Sequence, residues 1–272
     1  MDYAAIKANA ERDLIRLEKL PQPLIQIGTG TCGKASGADK VMESVRKTLK
    51  KIQVLARTME VGCIGMCYLE PLMTVHKQGR PPILFGRLTP ENAADIIRRY
   101  LLDDDLCLEW CICTLGEEQI ENIPRFEEHP MMRNQCRIAL RNCGLIDPAN
   151  IHNYIARGGY QGFNRALTMS GAEVTEVIDR AGLRGRGGAG FPTGLKWELT
   201  RKEKAEVKYI VCNADEGDPG AFMDRALLEG DPHSVLEGML IGAYAIGAAE
   251  GFIYVRAEYP LAIERLEKAL DQ

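Results

Sequence analysis

The sequence lacks the features that place a chain in a membrane, outside the cell or on nucleic acid. No apolar run approaches the roughly 18 residues of a membrane span, and residues 1–20, predicted as an amphipathic helix, lack the apolar core of a secretion signal. The formal net charge is −4, whereas nucleic-acid binding needs a basic surface. We therefore expect a cytoplasmic protein of one or two domains, with no membrane span and no nucleic-acid partner, because it has 272 residues.

Nine cysteines, an odd number, occur without a secretion signal. In a reducing compartment such cysteines serve as metal ligands or remain buried thiols. Cys32, Cys63 and Cys67 each lie in a glycine-containing loop after a predicted strand. Thiolates bind the iron of iron–sulfur clusters, and glycine leaves room for sulfide and supplies N–H donors. These three residues are predicted metal ligands, and inert buried thiols are the alternative.

The apolar patterns of residues 21–103 predict a small sheet with two helices. Strands and helices are expected, in chain order, at Leu24–Gly28, Ala38–Lys51, 52–56, 72–76, Ile83–Phe85 and 91–102. Their order, β-α-β-β-β-α, suits a thioredoxin-like sheet.

Residues 104–146 are predicted to link this sheet to a second domain. A helix is expected at 131–142, with Cys136 and Cys143 as core thiols. Two hypotheses concern the other cysteines of this segment: either they bind a metal themselves, or Cys111 completes the first group. These other cysteines are Cys107, Cys111 and Cys113.

A glycine-rich, cationic stretch at 184–197, RGRGGAGFPTGLKW, is predicted to bind phosphate. Glycine lets the backbone approach a ligand closely, and successive N–H groups before a helix start attract anions. The preceding segment, 170–182, is predicted as a helix with a capping box, whereas a dinucleotide fingerprint needs a strand there. No G-K-[ST] ending follows, which excludes a P-loop. A solvated turn is the alternative.

An apolar run at 207–213 predicts a strand covered on both faces, and residues 251–255 predict a second one. Helices between and after them predict a parallel α/β layer. The first strand ends in the acidic segment NADEGDPG, and ligands of such sheets bind at the carboxyl ends of strands. Its Asn and acids can accept hydrogen bonds from sugar or ribityl hydroxyls. A turn that caps the next helix, or a Mg²⁺ site, remains an alternative.

Several long motifs together resemble a known flavoprotein family. They are RNCG at 141–144, ARGGYQ at 156–161, LRGRGGAGFPTGLKW at 183–197, CNADEGDPGAF at 212–222 and DRALLEGDPHSVLEGMLIGAYAIGA at 224–248. From about residue 131 the chain is similar to the FMN- and NADH-binding subunit of respiratory complex I and its soluble relatives. The N-terminal part resembles the thioredoxin-like [2Fe–2S] ferredoxin domain that precedes the flavoprotein of NAD(P)-linked and electron-bifurcating hydrogenases.

The resemblance implies an α/β fold: a thioredoxin-like ferredoxin domain followed by part of a Rossmann-like FMN-binding domain. The expected boundaries are an N-terminal helix at 1–20, the ferredoxin-type domain at 21–103, the linker at 104–146 and the flavin domain at 147–272. Relatives continue beyond this point into a [4Fe–4S] domain. Residues 147–156 are expected to form a helix capped by Asp147 and Pro148, and His233 is expected to be a helix-start cap without a catalytic role.

The resemblance also implies which residues bind the cofactors. Gly188 is expected where flavin and nicotinamide approach, and Phe191 where the NAD adenine stacks. Asp218 stands where relatives often carry Glu. The implied binding residues are Gly185, Arg186, Gly187, Gly188, Phe191, Lys196, Asn213, Asp215, Glu216 and Asp218. The implied cluster ligands are Cys32, Cys63 and Cys67. A fourth cysteine would be sought at position 27 or 37, where this sequence has Ile27 and Gly37.

By this resemblance the expected function is NAD(P)H-linked oxidoreduction. Hydride passes between NAD(H) or NADP(H) and FMN, and single electrons then pass to iron–sulfur clusters. The expected partners are other redox subunits: a ferredoxin-like small subunit and an iron–sulfur, hydrogenase or reductase subunit. No side chain is expected to act as an acid or base. The alternatives are a non-catalytic electron-transfer or docking module and, from a different class, a kinase-like phosphate site.

Overall fold

The computed structural model describes residues 2–19 and 22–272. The first half of the chain forms helix α1, strands β1–β5 and helices α2–α4. In chain order these are α1 Tyr3–Lys19, β1 Leu24–Gly28, α2 Thr31–Ala35, α3 Ala38–Lys51, β2 Arg57–Val61, β3 Met73–His76, β4 Ile83–Phe85, α4 Pro90–Leu102 and β5 Cys111–Thr114. Short 3₁₀ turns lie at Cys67–Leu69 and Phe126–Glu128.

The five strands form one sheet in the order β2-β1-β3-β4-β5. β1 and β2 are parallel, because α2 and α3 carry the chain back across the sheet between them, and the other neighbours are antiparallel. Helices α3 and α4 pack against its apolar side chains, which include Ile25, Ile27 and Phe85. The predicted α/β class is confirmed, and the strands expected at 72–76 and Ile83–Phe85 pair as an antiparallel hairpin whose turn includes Gly79 at φ +79°.

The prediction of a strand at 52–56 is wrong. Ile52 is the C-cap of α3, Gln53 has φ +56°, and the N–H of Val54 donates to the carbonyl of Leu49 at 3.1 Å. This short apolar run ends a helix, and its side chains pack against the core. The neighbour of β1 is instead Arg57–Val61.

The segment predicted as a linker contributes β5, which pairs with β4. The helix predicted at 131–142 is absent, and the backbone there forms consecutive turns. The Arg137 guanidinium donates to the carbonyls of Leu140 and Cys143 at 2.9 and 3.2 Å, and the N–H of Cys143 donates to the Leu140 carbonyl at 3.2 Å, so a side chain and short turns satisfy this stretch. Cys143 is buried as expected, whereas Cys136 is exposed.

The second half forms seven helices and two strands in the described part of the chain. They are α5 Ile151–Ala156, α6 Gln161–Ala166, α7 Gly171–Arg180, α8 Thr193–Lys202, β6 Tyr209–Ala214, α9 Met223–Gly230, α10 Pro232–Ile246, β7 Glu250–Val255 and α11 Pro260–Asp271. β6 and β7 are parallel, with α9 and α10 as the crossover, as the α/β pattern predicts. α5 begins after Asn150, whose side chain caps it, and not at Asp147.

The expectation that strand β6 is covered on both faces is wrong for the residues described. The inner face packs on α9, α10 and α11 through Cys212, Ile253 and their neighbours. The outer face is exposed and apolar. It consists of Tyr209, Val211, Phe252 and Tyr254, which are 49, 60, 54 and 63% exposed.

His233 is a buried core residue and not a helix cap. Its Nδ1 lies 2.9 Å from the Tyr160 hydroxyl and its Nε2 lies 3.1 Å from Oε1 of Gln272. Asp231 occupies the N-cap position of α10 instead. None of the helices in the described ranges combines the length and the hydropathy that crossing a lipid bilayer requires.

Candidate functional site

Three thiols meet beside the carboxyl ends of the parallel strands β1 and β2 of the five-stranded sheet. The Sγ atoms of Cys32, Cys63 and Cys67 all lie within 4.8 Å of one another, with Cys63 and Cys67 3.6 Å apart. Cys32 lies in α2 just after β1, and Cys63 follows β2. Because β1 and β2 are parallel neighbours, both loops leave the sheet at the same edge. We call this group the thiol pocket.

Small residues let the loops of the thiol pocket close. A Cβ on Gly33 would overlap the carbonyl oxygen of Gly28. Helix α2 can therefore pack this closely against the end of β1 only because residue 33 is glycine. The N–H of Gly65 points at Cys63 Sγ at 3.3 Å. An N–H donor at a sulfur stabilises thiolate and bound cluster alike.

Burial raises the pKa of the Cys32 thiol to about 11, with a further contribution from Cys67. Burial also raises the pKa of Cys63 well above its ordinary value. Two or three thiolates cannot coexist this closely without a compensating cation, whereas a bound metal deprotonates its thiols outright. The pocket therefore suits a soft metal centre.

The donor set supplies three of the four ligands that a [2Fe–2S] cluster takes. Ile27 is fully buried in the core of the sheet, and Gly37 has no side chain to offer. Cys111 lies in β5 opposite Phe85, so the hypothesis that it completes the group is wrong. No metal group of Cys107, Cys111 and Cys113 forms among the described residues.

Helix α9 from the second half closes the thiol pocket. A cavity of about 230 Å³ lies between the thiols and the side chains of Phe222, Arg225 and Glu229. Nη2 of Arg225 lies 3.5 Å from Cys32 Sγ. The sequence pattern gave no indication of this arginine, because 193 positions separate the two residues.

Buried polar contacts fix the two halves to each other at this point. The carboxylate of Glu229 accepts from the N–H and the hydroxyl of Thr31 at 2.8 and 2.5 Å. Arg265 pairs with Glu60 at 2.6 Å. A Cβ on Gly62 would overlap Gly230, so the loop before Cys63 touches α9 through backbone alone.

The glycine-rich loop joins α7 to α8, as the sequence predicts. It is closed by the N–H of Gly185 on the Phe191 carbonyl and that of Thr193 on the Leu183 carbonyl, both at 2.9 Å. Cβ atoms built on Gly187 and Gly188 would meet nothing within 4 Å. Glycine there serves no packing in the described protein, so the space is free for a ligand.

The amino end of α8 faces the same loop. Its N-cap is Pro192, and no side chain caps it, so the positive end of the helix is available to an anion. Arg186 and Lys196 are exposed. The ion pairs of α8 join Glu198 to Arg201 and Lys202 and leave Lys196 out. Phe191 is 48% exposed beside them.

The acidic segment after β6 has two kinds of residue. Glu216 is buried, and its carboxylate accepts from the N–H groups of Asp224 and Arg225 at 2.9 and 3.2 Å, so it caps α9. Asn213 accepts from the N–H of Asp215 at 3.0 Å. Asp215 and Asp218 are exposed. The alternative of a helix-capping turn therefore applies to Glu216, and no group of metal-binding acids forms here within the described ranges.

The loop and the acidic segment lie on either side of α8 in the sequence, and no hydrogen bond or ion pair between described residues joins them. The structure thus brings together the three cysteines. Among the predicted cofactor-binding residues, the glycine-rich loop presents exposed cations and the segment after β6 presents the exposed carboxylates of Asp215 and Asp218.

Two family models match the chain. Residues 178–272 match the Nuo51 FMN-binding domain, and residues 13–101 match the thioredoxin-like [2Fe–2S] ferredoxin. The NADP-reducing hydrogenase subunit HndC of Solidesulfovibrio fructosivorans is 65% identical over 51% of this chain and 28% of its own. An NADH-quinone oxidoreductase subunit of Rhizobium meliloti is 46% identical over 49% of this chain and 32% of its own.

The NAD-reducing hydrogenase HoxS subunit alpha of Cupriavidus necator is 34% identical over 78% of this chain and 32% of its own. The chain thus spans about a third of the length of these relatives. The crystal structure of an NAD⁺-reducing [NiFe]-hydrogenase aligns with 99% of this chain and 43% of its own, at 22% identity and a TM-score of 0.40.

Proposed function

We propose that this chain, which joins a thioredoxin-like [2Fe–2S] ferredoxin domain to a Nuo51-type FMN-binding domain, is part of an NAD(P)H-linked oxidoreductase subunit. When bound, FMN exchanges hydride with a nicotinamide and passes electrons on singly. The names of three relatives, all oxidoreductase or hydrogenase subunits, support this class of activity. The proposal places the chain in a complex with other redox subunits.

The observation that carries the proposal is the glycine-rich loop at the uncapped start of α8. The backbone N–H groups around Gly187 and Gly188 and those at the amino end of α8 would bind the FMN phosphate. Within the described residues, no side chain caps this helix end, and nothing packs against the two glycines. Arg186 and Lys196 would neutralise its charge. A Cβ built on Gly185 would lie 3.6 Å from the Phe191 carbonyl oxygen, an ordinary contact, so the turn that starts the loop is not crowded.

The remaining residues would orient the two cofactors. Asn213 and Asp215 would accept hydrogen bonds from ribityl hydroxyls. Glu216 would hold their strand end in place by capping α9. Phe191, half exposed, would stack on the adenine of the dinucleotide, and Asp218 would lie at its sugar.

The thiol pocket would hold the iron–sulfur centre that receives the electrons. Cys32, Cys63 and Cys67 would be its thiolate ligands, and the fourth position would be filled by a ligand other than a cysteine of the described chain. Nine free cysteines suit the reducing cytoplasm that we propose as the compartment.

A second candidate is a non-catalytic docking module, which the three-sulfur donor set favours. Anaerobically purified protein distinguishes the two through its visible spectrum, with FMN and iron measured before and after addition of NADH. Flavin bands that NADH bleaches, together with bound iron, would support the oxidoreductase. Flavin without iron would reduce the first half to docking. Absence of flavin would favour the docking module for the whole chain.

A matched pair of lysines on α8 tests the phosphate site. Lys196→Met should lower FMN occupancy because it removes a charge beside the loop. Lys202→Met removes the same charge from a residue paired with Glu198 and should leave occupancy unchanged. Full FMN occupancy and full NADH turnover in Lys196→Met would reject the assigned role.

A further inference from the structure

Arg225 contacts both halves of the molecule. Its guanidinium lies 3.5 Å from Cys32 Sγ and is held over the rings of Phe222 and Tyr259, at 5.3 and 5.6 Å from their centroids. The Glu229 carboxylate lies 3.8 Å from its Nε. The side chain is only 19% exposed, so its position is fixed from three sides.

The backbone of the same residue belongs to the strand end of the second half. The N–H of Arg225 donates to Oε2 of Glu216, in the acidic segment that follows β6. Arg225 therefore connects the proposed flavin side, through its backbone, with the thiol pocket, through its side chain.

The contacts within the protein leave the Arg225 guanidinium only partly satisfied. Its Nε is buried and has no hydrogen-bond partner among the described residues, and Glu229 is already engaged by Thr31. The Arg225 guanidinium would therefore stabilise the Cys32 sulfur more strongly as that sulfur gains negative charge, because a cation and its N–H donors act strongly in a partly buried site.

We propose that Arg225 is a positioning residue that raises the reduction potential of an iron–sulfur centre bound at Cys32, Cys63 and Cys67. Reduction adds one electron to the centre, and the guanidinium stabilises that charge through the Cys32 sulfur. The proposal rests on the iron–sulfur part of the proposed function and makes the second half of the chain a determinant of the potential of the first.

The test is a redox titration of the full chain, reconstituted anaerobically with ferrous iron and sulfide and followed by electron paramagnetic resonance. We expect Arg225→Gln to lower the midpoint potential by about 59 mV, equivalent to a tenfold change in the oxidised-to-reduced ratio for one electron. Arg225→Lys keeps the charge and should recover more than half of that shift. Arg98→Gln removes an exposed charge paired with Asp95 and Asp103 and should leave the potential unchanged.

Several results would overturn the proposal. These are an unchanged potential in Arg225→Gln, an equal shift in Arg98→Gln, loss of iron from both Arg225 variants, or no iron in the unsubstituted chain. Loss of iron from Arg225→Gln alone, with Arg225→Lys loaded, would support it, since the retained charge then accounts for the difference. Flavin content and bleaching by NADH are measured in the same samples. A potential shift without flavin would reject the proposed hydride chemistry and leave the role of Arg225 intact.

Discussion

The imidazole of His76 sets a pH range in which the fold loses stability. Its Nε2 lies 2.8 Å from Oε1 of Gln26, and burial lowers its pKa to about 4 from the ordinary 6.5. As the pH falls below 6.5, the unfolded chain gains a proton that the folded protein does not take up until about pH 4. Stability is therefore complete above 6.5 and is lost from there down to about 4, by up to about 3 kcal/mol.

His76→Gln should remove most of this loss, because glutamine does not titrate. The measurement is the free energy of unfolding in urea at about pH 7.5 and about pH 4.5. The matched control is His152→Gln, since His152 is exposed. An equal loss between the two pH values in His76→Gln and in the unsubstituted protein would assign the pH dependence to other groups.

A substitution at Gly187 distinguishes the stability of the fold from the affinity for FMN. Its Cβ would meet nothing, so Gly187→Ala should leave the melting temperature unchanged or slightly raised. The added methyl should lower FMN affinity at least tenfold, about 1.4 kcal/mol, because it enters the space proposed for the phosphate. Fluorescence titration with FMN and thermal unfolding measure the two effects.

Gly194→Ala is the contrasting variant, because its Cβ would overlap Asp179 and separate α7 from α8. It should lower both the melting temperature and FMN affinity. Undiminished FMN affinity in Gly187→Ala would place the phosphate elsewhere.

Residue spacing was sufficient to predict which cysteines meet, because strand order fixes which loops are neighbours. Cys32, Cys63 and Cys67 follow β1 and β2, and the glycines beside them are visible in the sequence. Arg225 was not predictable in this way, since its contact with Cys32 depends on how the two halves dock. The roles of the glycine-rich loop and the acidic segment stay predictions.

Helix α9 begins without a cap of its own and depends on a carboxylate from the loop that precedes it. The Glu216 carboxylate accepts from the N–H of Asp224 at 2.9 Å and from the hydroxyl of Tyr259 at 3.2 Å. Glu216→Ala should destabilise the cofactor-free protein by about 2 kcal/mol, because it leaves these donors unsatisfied in a buried place. Urea unfolding of the cofactor-free protein measures the change.

Asp218→Ala, in the same acidic segment but exposed, should change stability by less than about 0.5 kcal/mol. If Glu216→Ala were as stable as Asp218→Ala without cofactor, the capping role would be wrong and a purely ligand-binding role would stand.

Elements with local signals were predictable and the others were not. The capping box at Ser170 marks the start of α7 as the sequence predicts, and a capping box at Thr89 starts α4 at Pro90, one residue before the predicted start. The helix expected at 131–142 is replaced by short turns, as in the N–H of Gln135 bonded to the Met132 carbonyl at 2.8 Å. The run at 52–56 has strand composition, yet its apolar side chains complete a helix end.

A few buried charges join the two halves beside the thiol pocket. Glu229 is 3% exposed and joins Thr31 of the first half to Arg225 of the second. Glu229→Ala should cost about 3 kcal/mol, because it leaves the N–H and hydroxyl of Thr31 without their acceptor and a largely buried guanidinium without its nearest carboxylate. Calorimetry should then show two separate transitions where the unsubstituted protein shows one.

Glu176→Ala serves as the control, because that carboxylate is exposed and pairs only with Arg180 at 3.9 Å. A single, unshifted transition in Glu229→Ala would mean that the apolar contacts hold the halves together alone. At this scale the sequence predicted both folds, since each follows from its own pattern. It did not predict their docking, which depends on side chains from distant positions.

The uncovered outer face of β6 and β7 has a consequence for the behaviour of this protein in the test tube. Four large apolar side chains stand side by side on a two-stranded sheet whose outer edges pair with no other described strand. Such a surface attracts further strands and apolar dyes. We expect light scattering and dye fluorescence to rise more steeply than in proportion to protein concentration, so that dilution, and not only temperature, decides how long a sample stays monodisperse.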